Sequence, residues 1–194
     1  MKLKSTHFFT LLLLSLLAGA CTSPPNKTLD LNLPAYKSSQ VPSLSLAGIP
    51  IYYPARCAVY ATDLIGAWVS AKAPEKEVFL FTDINGKSCQ GTFEWDVLPL
   101  FTTANLWYVG ALSCRTCHGP DVQVSYARLD LSAYQGILAG SGRSSSEAKG
   151  DDILGNSDWE KSELFAVLDK GEMPPNRPAD INPRGPIIYA GISR

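Results

Sequence analysis

The chain has 194 residues, 45% of them hydrophobic and 18% charged, with a formal net charge of −1. That length fits one domain, or one with a small appendage, and the apolar content suffices for a packed core. Seventeen basic residues against 18 acidic ones leave no excess positive charge to neutralise phosphates, so no nucleic-acid partner is expected.

Residues 1–20 read as an export signal. Lys2 and Lys4 give a positive head, and residues 8–17 are apolar except for Thr10 and Ser15. The run is too short to span a bilayer and has the length of a signal peptide's apolar region. It ends in Leu17-Ala18-Gly19-Ala20-Cys21, which looks like a bacterial lipobox, although Ala18 stands where leucine is commonest. The resemblance implies cleavage before Cys21 and a diacylglycerol on its thiol. Ordinary signal cleavage nearby, with an incidental cysteine, is the competing reading. The expected location is extracytoplasmic, on the periplasmic side, with the lipid at Cys21 anchoring the chain to the membrane; two or more acyl chains hold stably. Losing Lys2 and Lys4 leaves 15 basic and 18 acidic residues, a net charge of −3.

Residues 21–46 form the anchor and a tether rich in Ser, Pro, Asn and Lys. Leu29, Leu31 and Leu33 alternate with polar residues, the pattern of a short strand packed on the fold instead. Residues 47–92 read as a small β-rich module. Residues 49–60 are rich in β-branched and aromatic side chains, broken by Pro50 and Pro54. Residues 62–71 suit a short helix capped by Thr62. Residues 77–84 and 87–93 flank Asn85-Gly86, a two-residue hairpin signal. In an oxidising compartment Cys57 and Cys89 can pair as a disulfide stapling this module; two buried free thiols are the alternative.

Residues 93–194 carry the chemistry. A short helix is expected over residues 94–101, with Pro99 kinking or splitting it. Next comes Cys114-Arg115-Thr116-Cys117-His118, the covalent attachment signature of c-type haem: two thiols bind the vinyl groups and the imidazole binds iron. Three other readings compete. A zinc site would need Cys57 and Cys89 as further ligands. A thioredoxin-like Cys-x-x-Cys would sit in a βαβ unit, which the surroundings do not suggest. The third is chance. Ser132 caps an expected short helix that Gly140 stops, and residues 140–150 read as a polar surface loop. Ser157-Asp158-Trp159-Glu160 has the form of a capping box for a helix ending near Asp169. Gly171 then hands the chain to Met173, followed by Pro174 and Pro175. Without residues 1–20 the chain keeps one histidine and one methionine, so inventory points to His118 and Met173 as the axial iron ligands. Met/His ligation raises the reduction potential and leaves no open position. A lone Met is otherwise a core gap-filler, but a turn closed by two prolines is a poor place for one. Residues 187–192 suit a final helical turn or two.

These residues carry a resemblance. Residues 93–190 are similar to a class I-type cytochrome c domain, and most to the planctomycete-type variant. The shared features are Val97-Leu98-Pro99-Leu100-Phe101, the attachment motif with Gly119, Leu129-Asp130-Leu131 with Tyr134, and Gly171-Glu172-Met173-Pro174-Pro175. The resemblance covers about half the chain. It implies a mainly α cytochrome c domain around one haem, with His118 proximal and Met173 distal, appended here to the β-rich module. Such domains usually close with a sizeable helix after the Met, whereas Pro178, Pro183, Gly185 and Pro186 break this tail.

The expected function is electron transfer by a membrane-anchored monohaem c-type cytochrome with one covalent haem c. No constellation resembles a general base or an activated nucleophile, so the chain reads as a carrier rather than an enzyme. The expected partners are redox proteins, with the chain a subunit of a respiratory or photosynthetic electron-transfer complex. A monohaem lipoprotein subunit of alternative complex III, which oxidises quinol, is one candidate by general resemblance. The alternatives are a haem-based small-ligand sensor or small redox enzyme in which Met173 is displaced, and a structural haem beside a binding module. Arg143, Arg177 and Trp159 are candidate partners for the haem propionates.

Overall fold

The computed structural model describes residues 55–194. The export signal, Cys21, the tether and the expected strand at residues 29–33 lie outside the described residues.

β1 (Cys57–Tyr60) runs directly into α1 (Ala61–Ser70). Thr62 does not cap this helix. It lies inside it and donates its hydroxyl to the Arg184 carbonyl (2.9 Å), while Tyr60 takes the N-cap position. β2 (Phe79–Thr82) and β3 (Ser88–Gly91) form the expected antiparallel hairpin. Its turn is longer than Asn85-Gly86 alone. Asp83 N donates to Lys87 O and Gly86 N to Asp83 O, with Gly86 at φ +80°. This is a three-residue loop, in which glycine supplies the left-handed residue that a β-branched one would resist.

The expected helix over residues 94–101 is split. A π-helical turn, Phe93–Val97, passes into α2 (Leu98–Thr102). Pro99 has no N–H to donate to Trp95, and its ring crowds that carbonyl, so a continuous α ladder cannot form there. α3 (Cys114–Cys117) is a single turn. α4 (Tyr134–Ala139) starts one residue later than Ser132 can cap, because Ser132 binds the Asp130 carboxylate instead, and Gly140 ends it at φ +81°. α5 (Glu163–Asp169) is capped by Ser162, whose hydroxyl accepts from Phe165 N (3.0 Å). Ser157 therefore opens no helix, and two 3-10 turns occupy Gly155–Ser157 and Trp159–Lys161.

The tail departs most from expectation. β4 (Ile187–Ala190) and β5 (Ile192–Ser193) replace the expected helical turns. β4 pairs antiparallel with β1, and β5 adds antiparallel to β3, giving one sheet of two strands and another ordered β2-β3-β5. The described residues are 33% helix and 14% strand. The expectation of a mainly α domain is thereby corrected to a mixed α/β fold. The physical reason lies in the tail and in helix length. Pro186 and Gly191 isolate an Ile-Ile-Tyr stretch whose β-branched residues favour extended backbone, and prolines and glycines keep the helices short.

One buried cluster joins these elements. Trp68 of α1 packs against Phe93 (ring centroids 5.1 Å apart) and Tyr134 of α4 (6.4 Å). Cys57 and Cys89 are joined as a disulfide that ties β1 to β3. Arg184 closes the tail onto α1 through Asp63 and stacks 4.1 Å over Tyr60.

Candidate functional site

The attachment motif forms a helical turn because His118 N donates to Cys114 O (2.8 Å) and Thr116 N to Ser113 O (3.0 Å). Spacing of three residues on such a turn brings Cys114 and Cys117 to the same side. Both are free and half-buried. Burial pushes the Cys114 thiol up to about 11, with Cys117 adding to the shift. A thiol held neutral in this way lacks the lowered pKa that activates the nucleophile of a disulfide oxidoreductase. The zinc reading loses its remaining ligands to the Cys57–Cys89 disulfide. Among the described residues no cluster of three or more His, Cys, Asp or Glu is placed to hold a metal ion.

His118 is buried, and its Nδ1 lies 2.9 Å from the Tyr126 carbonyl oxygen. A carbonyl can only accept, so Nδ1 is the donor, and in the neutral ring Nε2 then keeps a free lone pair. The carbonyl is aimed by local backbone. Ala127 and Arg128 both stand in the left-handed region at φ 55° and 48°. Gly142 N donates to Ala127 O (2.8 Å), and Gln123 Nε2 to Ser144 O (2.8 Å), which pins this turn to the loop after α4. A carbonyl fixed on the outer nitrogen sets ring orientation and strengthens the inner nitrogen as a ligand.

Met173 follows α5. Gly171, at φ +75°, turns the chain, and Met173 N donates to Val167 O (3.1 Å). The structure brings Cys114, Cys117, His118 and Met173 to the wall of one cavity of about 500 Å³. The rest of the wall is mostly apolar, with Phe101, Trp107, Leu131, Leu164 and Leu168 among its lining. A volume of several hundred Å³ with apolar walls and few polar groups lies in the range of small-molecule and cofactor pockets.

These residues fit a haem. One imidazole nitrogen, one thioether and two paired thiols face a space lined by hydrocarbon. Haem also carries two carboxylates; two of the three candidate partners hold buried guanidinium nitrogens without an acceptor, although none of the three lines the cavity. Arg143 is 3% exposed, yet its Nε and Nη2 are buried without a partner; only Nη1 is matched, to Ser146 O (3.0 Å). Nη1 of Arg177 is likewise buried and unmatched. Buried donors without acceptors are rare and call for an explanation. Trp159, the third candidate, packs against a helix. Its ring lies on Gly66 of α1, where an added Cβ would stand 2.5 Å from the indole.

Two contributors escape sequence reasoning. The Tyr126 carbonyl has no side-chain signature, and only the left-handed turn after it reveals its role. Tyr108 donates to the Pro175 carbonyl across 67 positions (2.5 Å), a partnership that no local pattern encodes. Among the described residues no helix is long and apolar enough to cross a membrane. The chain matches no protein-family model, no curated protein and no solved structure.

Proposed function

We propose that this protein is a membrane-anchored monohaem c-type cytochrome that carries electrons, as a subunit of a respiratory or photosynthetic complex on the periplasmic side. The observation that carries this reading is the convergence of Cys114, Cys117, His118 and Met173 on one apolar cavity. A bound haem would supply one-electron exchange between ferrous and ferric iron. The chain's own residues do the rest. The Cys114 and Cys117 thiols would hold the haem covalently through its two vinyl groups. His118 presents Nε2 with its tautomer fixed by the Tyr126 carbonyl. Met173 would supply a thioether ligand, and Met/His ligation would raise the potential. Hydrocarbon walls exclude water and keep the local dielectric low. The cavity reaches the surface beside Leu112, Tyr126 and Met173, which are 57%, 72% and 37% exposed. An electron can leave there for a docked protein without substrate entering. The reading rests on the site and not on a mainly α fold.

The test is the visible spectrum of the oxidised protein beside a Met173→Ala variant. The weak sulfur-to-iron band in the far red is expected in the wild type and absent from the variant. A wild type without that band, whose ferrous form binds carbon monoxide rapidly, would instead favour a small-ligand sensor or redox enzyme with an open distal position. Co-purification in detergent extracts tests the partner. A stable solitary monomer would count against the subunit reading.

A further inference from the structure

Met173 sits on a loop with unusually few ties. Across residues 172–177 the described hydrogen bonds are Met173 N to Val167 O (3.1 Å) and Tyr108 Oη to Pro175 O (2.5 Å). Pro174 and Pro175 have no N–H with which to add a third. Upstream, Met173 is tied to α5; downstream, the Tyr108 hydroxyl is the hydrogen bond that holds the loop.

Tyr108 is itself firmly built. Asn105 N donates to Ala111 O (2.8 Å), Ala111 N to Tyr108 O (3.0 Å), and Gly110 N to Asn105 Oδ1 (2.8 Å), closing a tight turn. The neighbouring Trp107 is 2% exposed and anchors that turn by donating to Leu100 O (2.8 Å). Two residues after the turn the chain enters the attachment motif. The hydroxyl therefore spans from the segment feeding Cys114 to the segment carrying Met173.

We infer that Tyr108 is a positioning residue for Met173: its hydroxyl latches the distal loop shut and holds the thioether at the cavity. The inference rests on the haem reading with Met173 as ligand. Tyr108→Phe keeps the ring and removes only the latch. One net hydrogen bond lost shifts the closed-to-open equilibrium of the loop by roughly 2- to 12-fold.

The experiment uses the intact haem-bearing protein. It follows the far-red sulfur-to-iron band on warming and the rate of carbon monoxide binding to the ferrous form. In Tyr108→Phe the band is expected to fade at lower temperature, and carbon monoxide binding, gated by loop opening, to quicken by roughly 2- to 12-fold. Tyr189→Phe, which removes a hydroxyl from a 72% exposed tyrosine on β4, should leave both unchanged. A wild-type band with an identical Tyr108→Phe protein would overturn the latch and spare the haem reading. Equal loss of the band and of the reduced α band would assign Tyr108 a general structural role and also overturn it. A wild type lacking the far-red band would remove the reading beneath it, and the latch with it.

Discussion

Asp96, in the π-helical turn that packs with the two sheets as a strand-bearing layer, and Arg143, in the loop after α4, are both almost wholly buried, at 7% and 3% exposed. Asp96 is fully answered. It accepts from Thr92 N (2.8 Å) and Gly191 N (2.6 Å) and pairs with Arg56 (3.3 Å), so it binds the start of the π-helical turn to the junction between β4 and β5. Arg143 has one carbonyl for three nitrogens. A buried charge is stable where hydrogen bonds and counter-charge replace its water, and costly where they do not. The strand-bearing layer, with its disulfide and two small sheets, is complete as protein. The loop after α4 holds a buried guanidinium that protein groups match at one nitrogen only. The difference separates a self-sufficient scaffold from what is, on the haem reading, a receptor.

The largest break in that comparison comes from the scaffold side. Replacing both Cys57 and Cys89 with Ala releases a loop of sequence separation 32. In the chain-entropy account this costs about 3–4 kcal/mol. Urea unfolding should show a markedly lower midpoint, while below the transition the Met173-dependent far-red band persists. A cost under about 1 kcal/mol would mean that the layer holds without its staple. Loss of the band before unfolding would mean that the two regions are not separable in this way.

A smaller effect of opposite signs sharpens the receptor side. Arg143→Met removes an incompletely matched buried charge and keeps much of the side-chain volume. In a haem-free background made with Cys114→Ala and Cys117→Ala, it should raise stability by about 1–3 kcal/mol, since apolar replacement of buried charge is neutral to favourable. In the haem-bearing protein it should lower stability, because a carboxylate would then lose its cation. Denaturation of both pairs measures this. The same sign in both backgrounds would remove Arg143 from the cofactor's binding site.

What the sequence made legible follows from how local each signal is. The hairpin at Asn85-Gly86 was readable because a turn is specified by adjacent residues. The Cys57–Cys89 pairing was readable because the other cysteines already had roles. Cys114, Cys117 and His118 are a contiguous motif, and Met173 was reached by inventory; all four line one cavity. The tail was misread because Ile187-Ile188-Tyr189 has no strand neighbour in sequence, and its partner β1 lies some 130 positions upstream. The caps at Thr62, Ser132 and Ser157 failed for a related reason: each serine or threonine had a competing partner or a better-placed rival that only tertiary structure selects. Arg143 lies in a run of Ser and Gly that composition marks as surface, and burial contradicts composition there.

The smallest expected effect tests the completeness of the scaffold at its exposed hairpin. The Asp83 carboxylate accepts from Asn85 N and Lys87 N, each at 2.8 Å. The Lys87 backbone bond is the main cause that holds its pKa below the usual carboxylate value. A pKa lowered by folding contributes stability that is present above the usual value, about 4, and is lost as pH falls through the lowered one. Asp83→Asn keeps an acceptor oxygen but removes the charge. The urea midpoint of the variant should therefore lie slightly below wild type at pH 7, and the two should converge in strong acid. A gap that stays constant with pH would show that the turn depends on acceptor geometry alone. A gap that widens in acid would contradict the lowered pKa itself.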